Sequence, residues 1–145
     1  MLSRRRKFEL ASAIVVGLVG FAGSPAFAQE GAYSSTFKNA ITGFSSQNWT
    51  DHQNDTTATK IAMSSCSKSN GTAVNTITLQ LIDQWGAFPD ALVGSPKTMS
   101  GCTSVNWAQS TANYTMRNST FYWQLNAVNG SSGNIYLNGK ATATY

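Results

Sequence analysis

From Thr76 to Trp85 the side chains alternate, Ile77, Leu79 and Leu81 on one face and Thr76, Thr78 and Gln80 on the other. A period of two predicts a strand with one face buried. Ser119 to Ala127 repeats the pattern, with Phe121, Trp123 and Leu125 inward and Tyr122, Gln124 and Asn126 outward. After a turn cluster at Asn129-Gly130-Ser131-Ser132-Gly133, the inward set resumes as Ile135, Leu137, Ala141 and Ala143, so these last two strands are expected to pair as a hairpin. Further strands are expected over Ser35 to Gly43, over Thr57 to Cys66, and once or twice within Thr103 to Arg117. In that last segment inward parity switches between Trp107 and Tyr114, which requires a bulge or a short loop. The same parity assigns Trp85 and Trp123 to the core. No stretch carries the period of an amphipathic helix, and Gly86 to Gly101, broken by Pro89, Gly94 and Pro96, is expected to be one long irregular connection. Six or seven short antiparallel strands predict an all-β fold: an antiparallel β-sandwich, with a small β-barrel as the alternative.

The first 28 residues break this pattern. Arg4, Arg5, Arg6 and Lys7 form a basic start, Leu10 to Phe21 is apolar, and Ala26-Phe27-Ala28 is a small-x-small cleavage site. This is the layout of an export signal, which leaves a single domain over residues 29–145. Arg5-Arg6-x-Phe8 partly matches a twin-arginine signal, but Glu9 stands where an apolar residue is preferred, so ordinary unfolded export is expected. The signal also absorbs the charge. The whole chain carries a formal +4, of which residues 4–9 hold +3. The remaining cations, Lys38, Lys60, Lys68, Lys97, Arg117 and Lys140, form no cluster able to neutralise several phosphates, which argues against nucleic-acid binding. No later apolar run reaches the roughly 18 residues of a membrane span, so no transmembrane anchor is expected after signal removal.

Both cysteines, Cys66 and Cys102, fall in the exported part. A disulfide is the expectation there, with two buried thiols as the alternative. Phe44-Ser45-Ser46-Gln47-Asn48-Trp49-Thr50-Asp51, followed by a β-rich segment with Cys66, a Gly/Pro loop and Cys102, resembles small secreted single-disulfide proteins of actinobacteria. The resemblance implies secretion, one disulfide and a β-sandwich, and brings no catalytic residues with it.

Two binding surfaces are suggested. If the C-terminal hairpin turns near Gly130, Gln124 lies opposite Tyr136, Tyr122 opposite Asn138 and Asn126 opposite Asn134. Two tyrosines among amides would suit a cell-wall glycan, whose apolar face packs on rings while amides bond its hydroxyls; exposed strands also favour such residues for structural reasons. Trp49, in a polar stretch, either joins that surface or folds back as a lid on the core. The second surface is the long loop, where Phe88, Leu92, Lys97 and Met99 could contact an extracellular protein as an inhibitor or toxin would; alternatively the loop packs across one end of the sandwich. A structural envelope protein is a third possibility.

Catalytic chemistry is thinly provided for, and a non-enzymatic binding module is the reading preferred. His52 is the only histidine, and its neighbour Asp51 points away from it on an extended chain. No serine sits in a nucleophile elbow. Glu30, Asp51, Asp55, Asp83 and Asp90 are the carboxylates from which any acid/base pair would come. Asp51 to Asp55 is oxygen-rich but lacks the glycine and distal glutamate of a calcium loop, and one histidine with two distant cysteines makes no metal site. No cofactor is expected. Six N-x-[ST] sequons, at Asn48, Asn54, Asn70, Asn113, Asn118 and Asn129, matter only in a glycosylating host.

Overall fold

The computed structural model describes residues 31–54, 56–111 and 114–145. The export signal with its cleavage site, the carboxylates Glu30 and Asp55 and the sequon at Asn113 lie outside them. Two antiparallel sheets pack face to face as a β-sandwich. One has the order β1 (Ala32–Ala40), β11 (Leu137–Thr144), β3 (Thr59–Lys68), β7 (Ser104–Trp107). The other has the order β2 (Trp49–Asp51), β10 (Ser119–Val128), β4 (Thr76–Gln84), β5 (Ala91–Leu92), with β6 (Lys97–Ser100) also on β4. A short ribbon, β8 (Ser110–Thr111) with β9 (Tyr114–Thr115), stands apart. It absorbs the parity switch after Trp107, because the chain leaves the sheet there. The sheets hold more strands than the six or seven expected, since β2, β5, β6 and β7 are edge pieces of two to four residues, too short to show a period.

Alternation builds the core as expected. Phe37, Ile61, Met63, Leu137, Ala141 and Ala143 come from one sheet, and Ile77, Leu79, Leu81, Phe121, Trp123 and Leu125 from the other. Burial of each large side chain contributes about 1.5–3 kcal/mol before entropy is counted. Cys66 and Cys102 are bonded, with Cα atoms 5.7 Å apart. The bridge ties β3 to the crossover between β6 and β7, where Met63 N donates to Thr103 O at 2.7 Å. It therefore couples the two sheets through their connection.

The C-terminal hairpin does not form. The tight turn expected at Asn129-Gly130 exists, with φ of 53° and 73°, and Val128 and Ser131 exchange two hydrogen bonds of 3.0 Å. Positive φ at both central residues is the geometry of a hairpin turn. Yet β10 already has β4 along one edge and β2 with Ser45 along the other, so no edge is open to a returning strand. The chain crosses instead to the opposite sheet, where β11 pairs with β1 and β3.

Candidate functional site

The two ends of the sandwich carry different chemistry. At one end, β4 turns into β5 through residues 85–90, and the turn exposes a cluster of apolar side chains. Phe88 is 68% exposed, Leu92 61% and Trp85 38%. Phe88 stands edge-on to Trp85, with centroids 6.5 Å apart, and Phe88 N donates to Trp85 O across the turn. Gly86, at φ 62°, gives the turn its left-handed step.

Beneath this tip lies a carboxylate with no solvent exposure. Asp83 holds the last inward position of β4, continuing the row of Ile77, Leu79 and Leu81. Its Oδ2 accepts from Trp85 Nε1 at 2.6 Å and from Arg117 Nε at 3.3 Å, and its Oδ1 accepts from Ser119 Oγ. The Arg117 guanidinium carbon sits 3.7 Å from the Trp85 ring centroid, a cation–π contact worth about 0.5–2 kcal/mol. A buried charge is costly unless paired and hydrogen-bonded, and here the partners are the same groups that fix the tip. On the outer face Tyr122, Ile82 and Leu92 form one cross-strand row, and Tyr122 Oη donates to Asp90 Oδ2 at 2.7 Å. Burial first, then the Asp90 bond and charge, push the Tyr122 phenol up to about 12. The turn is held from both sides.

The opposite end is polar. A cavity of about 100 Å³ is lined by Lys68, Ser69, Asn70, Asn134, Ile135 and Tyr136. Ser69 N donates to Tyr136 O at 3.0 Å and Ser69 Oγ to Asn39 Oδ1 at 3.1 Å. Asn129 fastens the connection into β4: its Oδ1 accepts from Asn75 N and Thr76 N, and its Nδ2 donates to Ala73 O.

The expected tyrosine-amide platform is thus divided. Tyr122, Gln124 and Asn126 lie on β10 in one sheet, while Asn138 lies on β11 in the other and Tyr136 in the loop just before it. Gln124 pairs in register with Gln80, not Tyr136, and Asn126 falls at a break in the β10–β4 register. Asn138 accepts from Asn39 N at 2.8 Å. Trp49 is buried, stacked between Tyr33 and Tyr145 with centroids 6.3 and 6.0 Å away. It is the lid, not a ligand anchor: β2 is a strand whose inward positions are Trp49 and Asp51. Trp85 is corrected the other way, because the chain turns at Gln84 and takes it out of the core row.

Nor is the Gly86 to Gly101 span irregular throughout. It is an edge strand broken between β5 and β6, with prolines at the turn and the break, where an edge tolerates them. Val93, buried in the break, donates its N–H to Leu81 O, and buried Gln80 Nε2 donates to Val93 O at 3.3 Å. Phe88 and Leu92 are exposed as expected, and Lys97 is exposed on β6. Met99 is core, because it faces inward beside Ile77 and so cannot contact a partner. Arg117 and Lys68 carry no site role in the sequence pattern, and Asp83 appears there only among the carboxylates open to acid/base use. The available signal was Asp83 itself, a charge at a core parity position of the clearest strand.

Comparison with known proteins adds no further assignment: the chain matches no protein-family model, no curated protein and no solved structure.

Proposed function

We propose that this chain is a secreted, non-enzymatic binding module that grips a partner protein through the β4–β5 tip. The observation that carries this reading is the fully buried Asp83 held by Trp85 and Arg117. A carboxylate spent on fixing a half-exposed tryptophan is poorly explained by stability alone, since apolar residues of similar volume stabilise as well or better. It is well explained by pre-organisation: rigid aromatic and arginine side chains lose little entropy on binding and dominate interface energetics. A flat glycan platform fits the tip less well, because Arg117 covers one face of Trp85 and Phe88 meets the ring edge-on. The export signal and the Cys66–Cys102 bridge support a location where disulfides persist.

The test is quantitative affinity capture from extracellular and cell-surface protein fractions with the mature chain. A specific partner should be retained by the wild type and by Tyr136→Ala, and lost by Phe88→Ala, whose truncation should cost about 2 kcal/mol or more of binding. Equal retention by Phe88→Ala, or retention on insoluble peptidoglycan or chitin that ignores Phe88, would overturn the reading.

A further inference from the structure

The cavity at the polar end holds a cation of unusual placement. Lys68 is only 9% exposed, whereas lysines are almost never so buried unless paired. A bulge with Ser65 at φ 54° shifts the parity of β3, so Lys68 lies opposite the core residue Leu137 rather than facing outward. Among the described residues no carboxylate comes within ion-pair distance of it, the ion pair there being Arg117 with Asp83 at the other end. Lys68 nevertheless lines the cavity. A buried lysine stem commonly carries its ammonium to a wet opening, the snorkelling arrangement, and this recess is an opening that Lys68 lines.

The rest of the lining is uncharged. Ser69, Asn70, Asn134 and Tyr136 supply hydroxyl and amide groups, with Tyr136 49% exposed at the rim. Asn70 turns its oxygen toward Thr72, accepting from Thr72 N at 3.1 Å and Thr72 Oγ1 at 2.8 Å, which leaves its NH₂ group for a ligand oxygen. A single buried cation ringed by amides, hydroxyls and one ring matches a ligand with one negative charge, several hydroxyls and an apolar face. The volume amounts to roughly three waters, enough for a carboxylate and the ring atoms that carry it, too little for a whole disaccharide.

We infer that this cavity is a binding site for a carboxylate-bearing sugar, a uronic acid residue at a chain end or in free form. Its carboxylate pairs with Lys68, its hydroxyls meet Asn70, Asn134 and Ser69, and its ring packs against Tyr136. The site is separate from the β4–β5 tip and goes beyond the protein-binding reading, so either can fail without the other. Phosphate, which has no apolar face, would use Lys68 but not Tyr136.

Titration of the mature, isotope-labelled protein, followed by amide chemical shifts, tests this. D-glucuronate or D-galacturonate should produce saturable shifts in residues 68–70 and 134–136, and D-glucose, acetate and inorganic phosphate much weaker ones. Tyr136→Ala, at an exposed position, and Lys68→Gln should each weaken uronate binding about tenfold, equivalent to about 1.4 kcal/mol, while Lys68→Arg should retain most of it. If Lys68→Gln fails to fold, Tyr136→Ala and the glucose comparison decide. Equal shifts from glucose and glucuronate, saturation by phosphate as strong as by uronate, or no shifts in these segments would overturn the assignment.

Discussion

The two ends of this sandwich treat buried charge in opposite ways. At the β4–β5 tip the buried group is an anion, Asp83, saturated by Trp85, Arg117 and Ser119, and what it holds faces outward. At the polar end the buried group is a cation, Lys68, with no carboxylate beside it among the described residues and a cavity that it lines. A satisfied charge fixes its neighbours in place, and an unsatisfied one leaves hydrogen-bonding capacity still to be met. The same fold thus presents an exposed aromatic tip at one end and a recess at the other, and the difference is written in partners more than in residue types.

The largest expected effect on this contrast comes from the bridge, which lies nearer the polar end. Replacing Cys66 and Cys102, 36 residues apart, with serine should cost about 4 kcal/mol on the chain-entropy model, read from urea unfolding. Hydrogen exchange should then show residues 69–75 opening before the tip; simultaneous opening would mean that the two ends are one cooperative unit. Asp83→Ala comes next. Breaking a buried pair costs roughly 3–5 kcal/mol, reduced here to about 2–3 because Arg117 is half exposed, and Trp85 fluorescence should shift toward that of a freely solvated ring. Uronate shifts at residues 68–70 should survive in this variant, and their loss would break the independence of the two ends. Asn129→Ala should act on the polar end alone, costing about 1 kcal/mol for three lost hydrogen bonds that lie largely at the surface, with stronger broadening in residues 69–75 than at the tip.

The smallest effect is titration of Tyr122. Its phenol is raised in the folded state to about 12, from an unfolded value near 10. The Tyr122–Asp90 contact therefore contributes in full below about pH 10 and is lost as pH rises through about 12. Ultraviolet titration should show one tyrosine ionising later than the others, and Asp90→Asn should move it back toward the ordinary range. A late tyrosine unaffected by Asp90→Asn would leave burial as the whole cause.

Much of the sandwich was legible because parity is local. Ile77, Leu79 and Leu81, and Phe121, Trp123 and Leu125, face inward as their alternation requires. Pairing is not local: the same in-and-out pattern in β11 serves a hairpin or a crossing, and the choice depended on β10 having both edges taken. Only residues distant in sequence carry that information. The sites failed for a related reason. Trp85 sits one residue past β4 and Trp49 opens β2, positions where a single turned residue exchanges buried for exposed, and Lys68 was moved inward by a bulge at Ser65 that no composition signals.

β1 and β11 also bear on how the molecule is made. The first described strand has one neighbour, and that neighbour is the last strand of the chain, with Gly31 and Tyr145 exchanging hydrogen bonds of 2.7 and 3.1 Å at their ends. During synthesis Tyr33 and Phe37 have no sheet to join until β11, the last strand described, has been made. Such non-local pairing folds slowly, so the apolar face of β1 waits exposed. The sandwich therefore closes only once β11 is available to pair with β1 and β3.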